Sequence, residues 1–436
     1  MGAALLLAAS IAVHPSPPIL SSDRNWTTTI PATMPPSDAP VVKAEASILV
    51  DAVTGEEMFS QQPDTELPMA STTKIMTAAL AITHGNLDRT VTVSKHAAAA
   101  EPANIAMKEG EKFTLRDLLY AMMIHSANDC AIAVAEAVGG TEAKFIREMN
   151  EEAARLGCTH THFVTPNGLH DPEHFTTARD LSKIAIYATS IPFFNELIRT
   201  RSHRIKRSIN QANVMMYRAH GDRFLFEYAG ADGVKTGYTH QAGRCYVGSA
   251  TRADDLGDRR LITVVLHAPD TLADTRAMMD YGFHAWTRHE LVPEGAVQGQ
   301  LTGADGSSST PFAATTRMVV SLLGGQEHSI SYQYHAQAQA PAPAGARVGY
   351  LSVSIDGGPP SLVPLATQTP ITTPARYIRD QGARLVFACL SVLMLSYTYG
   401  SFTKADSHRR ALLAARRGGV DPAGTRLDQR SDSHYR

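Results

Sequence analysis

Between Arg384 and Lys404 the chain carries no charged residue: Leu385 to Thr403 reads "LVFACLSVLMLSYTYGSFT". As an α-helix this run would be roughly 28 Å long, close to the hydrocarbon thickness of a bilayer. It is apolar on every side, so it suits spanning better than lying in the interface. The polar, unpatterned tail beyond it disfavours a buried core helix. Lys404, Arg409, Arg410, Arg416 and Arg417 follow the run, while Arg376, Arg379 and Arg384 precede it together with Asp380. That bias predicts a transmembrane helix over 385–403, a basic cytoplasmic tail over 404–436, and the bulk of the chain outside the cell membrane.

A second apolar run, Ala3 to Val13 ("AALLLAASIAV"), has the length of a signal-peptide core, although no Lys or Arg precedes it. Residues 1–13 therefore read as a signal h-region, consistent with export. Residues 14–43 are rich in Pro, Ser and Thr and read as a disordered linker. The rest has the makings of a core: 44% of the 436 residues are hydrophobic and 19% charged. A net charge of −2 offers no attraction to nucleic acid. Four cysteines do not make a disulfide framework; they read as small apolar residues, with a bridge among Cys130, Cys158 and Cys245 left open.

"ASILVDAVTGEEMFS" predicts a hairpin turning at Thr54-Gly55. Dense apolar periodicity predicts helices over 75–82, 115–124, 131–138 and 142–156. Strands return at 244–251 and 261–266, and 271–286 reads as a closing helix. A sheet built from both ends of a segment, with helices between, is an α/β arrangement. It is expected over 44–290. Short alternating runs with Gly, Ser and Pro turns predict a small all-β domain over 291–370, followed by a linker over 371–384.

The chemistry starts with "PMASTTKIMTAAL". Ser71 and Lys74 are three apart, so on a helix they share one face. Serine is a weak nucleophile without a base, and lysine becomes a base only when burial or a neighbouring cation lowers its pKa. A helix N-terminus would also aim free N–H groups at an oxyanion forming on Ser71. Alone, this spacing usually marks a solvated surface helix. "HSANDC" adds Ser126 and Asn128 in a break between two helices, where a capping turn is the plainer reading. "GADGVKTGYT" adds Lys235, Thr236 and Gly237, a cation, a hydroxyl and open backbone, or else an ordinary glycine turn. "CTHTH" at 158–162 invites a metal reading, but no complete ligand set is visible, and neither a metal nor a cofactor is expected.

Together, the three triplets in this order resemble the signature of penicillin-binding proteins and class A β-lactamases. The likeness is closest to serine-type D-alanyl-D-alanine carboxypeptidases, the low-molecular-mass penicillin-binding proteins, over roughly residues 44–370. "THFVTPNGLHDPEHFTTARDL" is similar to that family's loop beneath the active site, and "ARVGYLSVSIDGGPPSLVPL" to its C-terminal β-rich domain. The resemblance implies a β-lactamase/transpeptidase-like α/β catalytic domain with an antiparallel sheet and a helical region. It implies removal of the terminal D-alanine from peptidoglycan stem peptides, and covalent inhibition by β-lactam antibiotics. Ser71 would be the nucleophile, Lys74 its proton acceptor and Ser126 a relay. Asn128, Lys235, Thr236, Gly237 and Tyr238 would bind substrate, the Ser71 and Tyr238 N–H groups forming the oxyanion hole. Departures are Asn167 where some members have His, Arg244 where Tyr is frequent, and no asparagine-rich run in "AHGDRFLFEY". A β-lactamase-like hydrolase would need a deacylating Glu-x-x-Leu-Asn loop, which is not found. A catalytically idle wall-binding scaffold would not need Ser71, Lys74 and Lys235 intact.

Overall fold

The computed structural model describes residues 19–417 apart from 36, 210–211, 219–221, 304–308 and 373–374. The expected signal run and the end of the tail lie outside the described residues.

A five-stranded antiparallel sheet runs in the order Glu57–Gln61, Ala46–Asp51, Gly257–Ala268, Gly243–Asp254, Ala231–Thr239. Every residue of Ala46–Asp51 is buried because both faces of the sheet are covered. Ile48, Val50, Ile262 and Val264 point to the helical side, and Leu49, Leu261 and Val265 to the other, as the two-residue strand period requires. The second face is closed by Thr271–Ala285 through Met278 and Met279. That helix lies close to the sheet because position 282 is glycine: a Cβ there would sit 2.7 Å from Leu261 Cδ1.

On the first face the helix Lys74–His84 is enclosed by Leu115–Ile124, Asn128–Gly139, Glu142–Arg155 and Ala178–Thr189. Its residues from Lys74 to Ala81 are all buried, as befits a helix apolar on every side. Three of its neighbours start at threonine caps: Thr114, Thr141 and Thr177 accept the backbone N–H of Asp117, Lys144 and Asp180.

The C-terminal strands form a closed barrel, and the N-terminus completes it. Its order is Ile19–Ile30, Val297–Gly303, Ser309–Ala314, Ser361–Thr367, Arg347–Ile355, His328–Gln339. The expectation of a disordered linker over 14–43 is therefore corrected over Ile19–Ile30. Residues Ile19–Ile30 pair along their whole length with His328–Gln339. Leu20 is fully buried, and Trp26 stacks on Tyr332 at 4.8 Å with Tyr334 edge-on at 6.1 Å. The Trp, Thr and Ile of "NWTTTI" favour strands, but they lack a partner until the far end of the chain supplies one. Thr33 and Met34 N–H groups then bond to the Gly324 carbonyl as the chain leaves for the sheet. The two units also meet at Asp51, whose Oδ2 accepts from Ser321 Oγ (2.8 Å) and Arg259 Nε (3.1 Å).

The last element is one helix, Ala375–Arg417, so the expected linker over 371–384 is helical from Ala375. Gly382–Arg410 is long and apolar enough to cross a membrane: its most apolar 18-residue window has a mean hydropathy of 1.6, and none of that window is buried among the described residues. Phe387, Leu393 and Met394 stand exposed along it, an apolar surface that calls for lipid or a partner. All four cysteines are free; Cys130, Cys158 and Cys245 are buried and Cys389 is exposed on this helix.

If the first strand belongs to the barrel core, Leu20→Ala should destabilise the protein by about 2–5 kcal/mol. Thr27→Ala, on the exposed face of the same strand, should change stability by less than about 0.5 kcal/mol. Urea unfolding of both variants separates a core strand from a spacer, which would tolerate either change.

Candidate active site

Ser71 lies on a 3₁₀ turn, Ala70–Thr73, and the α-helix proper begins at Lys74, one turn later than the spacing alone suggested. Ala70 has φ +48°, a left-handed conformation that costs a non-glycine residue on the order of 1 kcal/mol. Local bonds hold it there. Thr72 Oγ1 donates to the Met69 carbonyl (2.6 Å) and Thr73 Oγ1 to the Ala70 carbonyl (2.8 Å). His174 Nδ1 accepts the Val164 N–H (2.9 Å), so its proton sits on Nε2 and is donated to Thr73 Oγ1 (2.8 Å). Burial pushes the His174 imidazole down to about 4, which keeps it neutral in this role. Gly168, at φ +84°, passes so close beneath the turn that a Cβ would lie 2.0 Å from the Ala70 carbonyl oxygen.

Lys74 is fully buried. Its Nζ lies 2.9 Å from Ser71 Oγ, 2.8 Å from Asn128 Oδ1 and 2.6 Å from the Asn167 carbonyl. Burial first, and then the Lys235 charge, hold its pKa well below the usual lysine range. The amide of Asn128 is oriented by its Nδ2, which donates to the Glu101 carbonyl (3.0 Å), so Oδ1 must face Lys74. Asn128 Oδ1 and the Asn167 carbonyl can only accept. A neutral Lys74 amine therefore spends its two N–H groups on them and turns its lone pair to the Ser71 hydroxyl.

Ser126 sits between two helices with φ +64°, a second left-handed non-glycine residue beside the site. Asn128 opens the next helix, and its N–H donates to the Ala103 carbonyl (2.7 Å). Next to it, buried Asp129 accepts the N–H groups of Ile105 and Met107, pinning the 101–107 segment over the site.

The third triplet lies on Ala231–Thr239, an edge strand. Its root is Asp232, a buried carboxylate held by Ser249, Thr251 and Arg260 at 2.6–2.8 Å. Lys235 Nζ reaches Ser126 Oγ (3.0 Å) and the Thr236 carbonyl (2.8 Å). Burial, then the Arg218 charge, bring its pKa to about 7. Gly237 lets the strand abut the serine turn: a Cβ there would be 3.1 Å from the Ser71 nitrogen. Tyr238 follows, with its ring exposed.

The structure thus gathers every residue expected from the three triplets. Ser71, Ser126, Asn128, Thr236, Gly237 and Tyr238 line one cleft of about 560 Å³, with Lys74 and Lys235 bonded behind it. Sequence reasoning passed over His174, Gly168, Asp129, Asp232 and the Asn167 carbonyl. The glycine of "PNGL" was the available signal; a backbone acceptor leaves none. The "CTHTH" stretch disperses: Cys158 Sγ faces the Asp180 carbonyl, His160 pairs with Glu66 and His162 with the Glu173 carbonyl. Among the described residues no cluster of three potential metal ligands forms.

A family profile described as D-alanyl-D-alanine carboxypeptidase matches residues 33–270, more than half of the chain. A D-alanyl-D-alanine carboxypeptidase of Streptomyces sp. (strain K15) is 33% identical over 261 residues, 56% of this chain and 88% of that protein. DacC of Escherichia coli (strain K12), with the same description, is 32% identical over 324 residues, 68% of this chain and 76% of the relative. The match to DacF of Bacillus subtilis (strain 168), 30% identical over 257 residues and 57% of this chain, spans 64% of that relative's length. Among solved structures, penicillin binding protein 5 from Haemophilus influenzae superposes with a TM-score of 0.64 at 23% identity, covering 77% of this chain and all of its own, a likeness of fold. The Streptomyces K15 DD-transpeptidase superposes at 0.53 with 30% identity, covering 57% of this chain and 99% of its own. With its transpeptidase-like α/β fold and its serine-lysine cleft, the chain belongs to the D-alanyl-D-alanine carboxypeptidase family of serine peptidases.

Proposed function

We propose that this protein removes the terminal D-alanine from D-Ala-D-Ala stem peptides of peptidoglycan through an acyl-enzyme on Ser71. The observation that carries this reading is the Lys74 amine, buried, 2.9 Å from the serine oxygen and held by burial well below the usual lysine pKa range. Ser71 Oγ attacks the carbonyl carbon of the scissile peptide and its proton passes to Lys74. The oxyanion is received by the N–H groups of Ser71 and Tyr238. As the bond breaks, the departing D-alanine nitrogen takes a proton from Ser126, whose Oγ lies 3.0 Å from Lys235 Nζ. The proton held by Lys74 is relayed to Ser126, so that Ser126 is a hydroxyl and Lys74 a neutral amine again. Asn128 holds the substrate amide, and Thr236 bonds the terminal carboxylate. Water then attacks the ester, with Lys74 again managing the proton. β-Lactam antibiotics would acylate Ser71 by the same route. The C-terminal helix would anchor the protein in the cell membrane, with the catalytic unit extracytoplasmic and the basic tail cytoplasmic.

Purified protein should gain the mass of one penicillin, located at Ser71 and missing in Ser71→Ala, and should release D-alanine from a diacyl-D-Ala-D-Ala peptide. An unlabelled wild type that releases no D-alanine would overturn the proposal. Lys74→Met, which keeps the volume and loses the base, should slow acylation by at least about a hundredfold.

The two lysines should shape the pH profile. Lys74 acts neutral, so acylation falls as pH drops through its lowered pKa. Lys235 acts charged, so activity falls as pH rises through about 7. Lys235→Gln removes a like charge beside Lys74, and the acid limb of kcat/KM should move to higher pH.

His174 makes a stability prediction. Its unfolded imidazole takes up a proton near pH 6.5, whereas the folded one resists until about 4. Between those values the native state should lose about 3 kcal/mol that His174→Gln does not lose, as read from the difference in their urea unfolding across that pH range.

A further inference from the structure

An arginine outside the three triplets holds the segment that lies over the site, and the proposed reaction gives it no role. Arg207 follows the strand Ser202–Lys206, which pairs with Asn213–Tyr217 in a hairpin. Its Nε and Nη2 fork onto the Glu111 carboxylate at 2.5 and 2.7 Å. Its Nη1 donates to the Ile105 carbonyl and its Nη2 to the Ala106 carbonyl, each at 3.1 Å. Among the described residues no other group donates to either carbonyl.

The clamp is anchored at one end and strained at the other. Glu111 is fully enclosed, and its Oε2 also accepts the Lys108 N–H (3.1 Å). Burial alone would push its carboxyl up, but the Arg207 hydrogen bond outweighs burial and holds it below the usual range, so the pair is ionic. Beside it, Ser208 Oγ accepts the Lys112 N–H (2.8 Å), which fastens the hairpin to the base of the segment. At the far end Ala106 has φ +53°, left-handed like Ala70 and Ser126. Such a conformation persists only where neighbours enforce it, and Arg207 bonds that residue's own carbonyl.

The held segment in turn fixes Asn128. Pro102 and Ala103 line the cleft. The Glu101 carbonyl accepts Asn128 Nδ2 (3.0 Å), and the Ala103 carbonyl accepts the Asn128 N–H (2.7 Å). The first of these bonds decides that Oδ1, not Nδ2, faces the Lys74 amine at 2.8 Å. Were the amide to flip, Nδ2 would donate to Lys74, and a neutral amine has one lone pair to accept with. That lone pair would then be turned away from the Ser71 hydroxyl.

We propose that Arg207 is a positioning residue for acylation: by clamping Ile105 and Ala106 to Glu111 it holds the Glu101 carbonyl against Asn128 and so keeps the Lys74 lone pair aimed at Ser71. This rests on the carboxypeptidase reading above. An arginine suits the task because its planar fork reaches a carboxylate and two carbonyls at once, which a single ammonium cannot do. Asp129 holds the same segment through the N–H groups of Ile105 and Met107, so loss of the clamp loosens the segment without releasing it.

The test follows acylation of the full chain by benzylpenicillin, read as intact-protein mass against time. Arg207→Lys keeps a charge beside Glu111 but loses the fork; Arg207→Gln combined with Glu111→Gln removes the buried pair together. Each should acylate about three- to thirtyfold more slowly than wild type. In an Asn128→Ala background the same changes should cost less than about twofold, because the group through which Arg207 acts is gone. Equal losses in both backgrounds would reduce Arg207 to a scaffold residue and overturn the proposal, as would undiminished acylation in Arg207→Lys. If urea unfolding shows that the glutamine pair does not fold, Arg207→Lys decides alone on the same two criteria. Wild-type labelling and D-alanine release, measured alongside, keep the two readings apart. Their absence sinks both, whereas a labelled wild type matched by Arg207→Lys sinks this one alone.

Discussion

A primary amine enclosed by protein is the constraint on which the rest of this structure turns. Lys74 could not stay in the core as a charged, unpartnered group, because desolvation would cost several kcal/mol. It is accommodated by three hydrogen-bond partners and by a shift toward the neutral form. Each partner comes from a different part of the chain: the serine turn, the helix opening at Asn128 and the loop at Asn167. Burying the amine therefore assembles the cleft. The same contacts that satisfy it bring a nucleophile, an amide and a loop into one place.

The surroundings serve that arrangement by being stiff. Ala70 and Ser126 are both held left-handed, and such strain persists only where neighbours over-determine it. At Ala70 the neighbours are Thr73, neutral His174 and the bare backbone of Gly168. Lys235 extends the network from the opposite wall. Its charge lowers the pKa of Lys74, and its hydrogen bond poises Ser126. Burial holds both lysines below their usual range, Lys74 well below it and Lys235 at about 7. The charge of each disfavours charge on the other, an arrangement that suits one to accept a proton and the other to stabilise negative charge.

The unit beyond the catalytic sheet is built around a different problem. A barrel has no free edges, but the C-terminal strands alone do not close this one. The N-terminal strand supplies the missing edge, and the strap after it runs back to the sheet past Gly324. The two ends of the folded part are therefore tied together, with the apolar helix hanging from the barrel. The family's activity toward the cell wall is compatible with an enzyme held near the membrane by that helix.

Much of this was written in the order of residues. The hairpin at 46–61, the helices from 115 to 155 and the closing helix are governed by local periodicity, helped by caps at Thr114, Thr141 and Asp270, so they could be read directly. The three triplets pointed to the chemistry only as a set in this order, since each alone has a plainer structural reading. Other features needed the fold. The strand Ile19–Ile30 looked like a spacer because its hydrogen-bond partner lies at the other end of the chain, and a lone strand has no stability of its own. The 3₁₀ start at Ser71 depended on a histidine and a glycine from a distant loop. The lowered pKa of the Lys74 amine and the Asn167 carbonyl that receives it belong to tertiary structure alone. Burial, charge proximity and the direction of a carbonyl come into being only when remote segments pack.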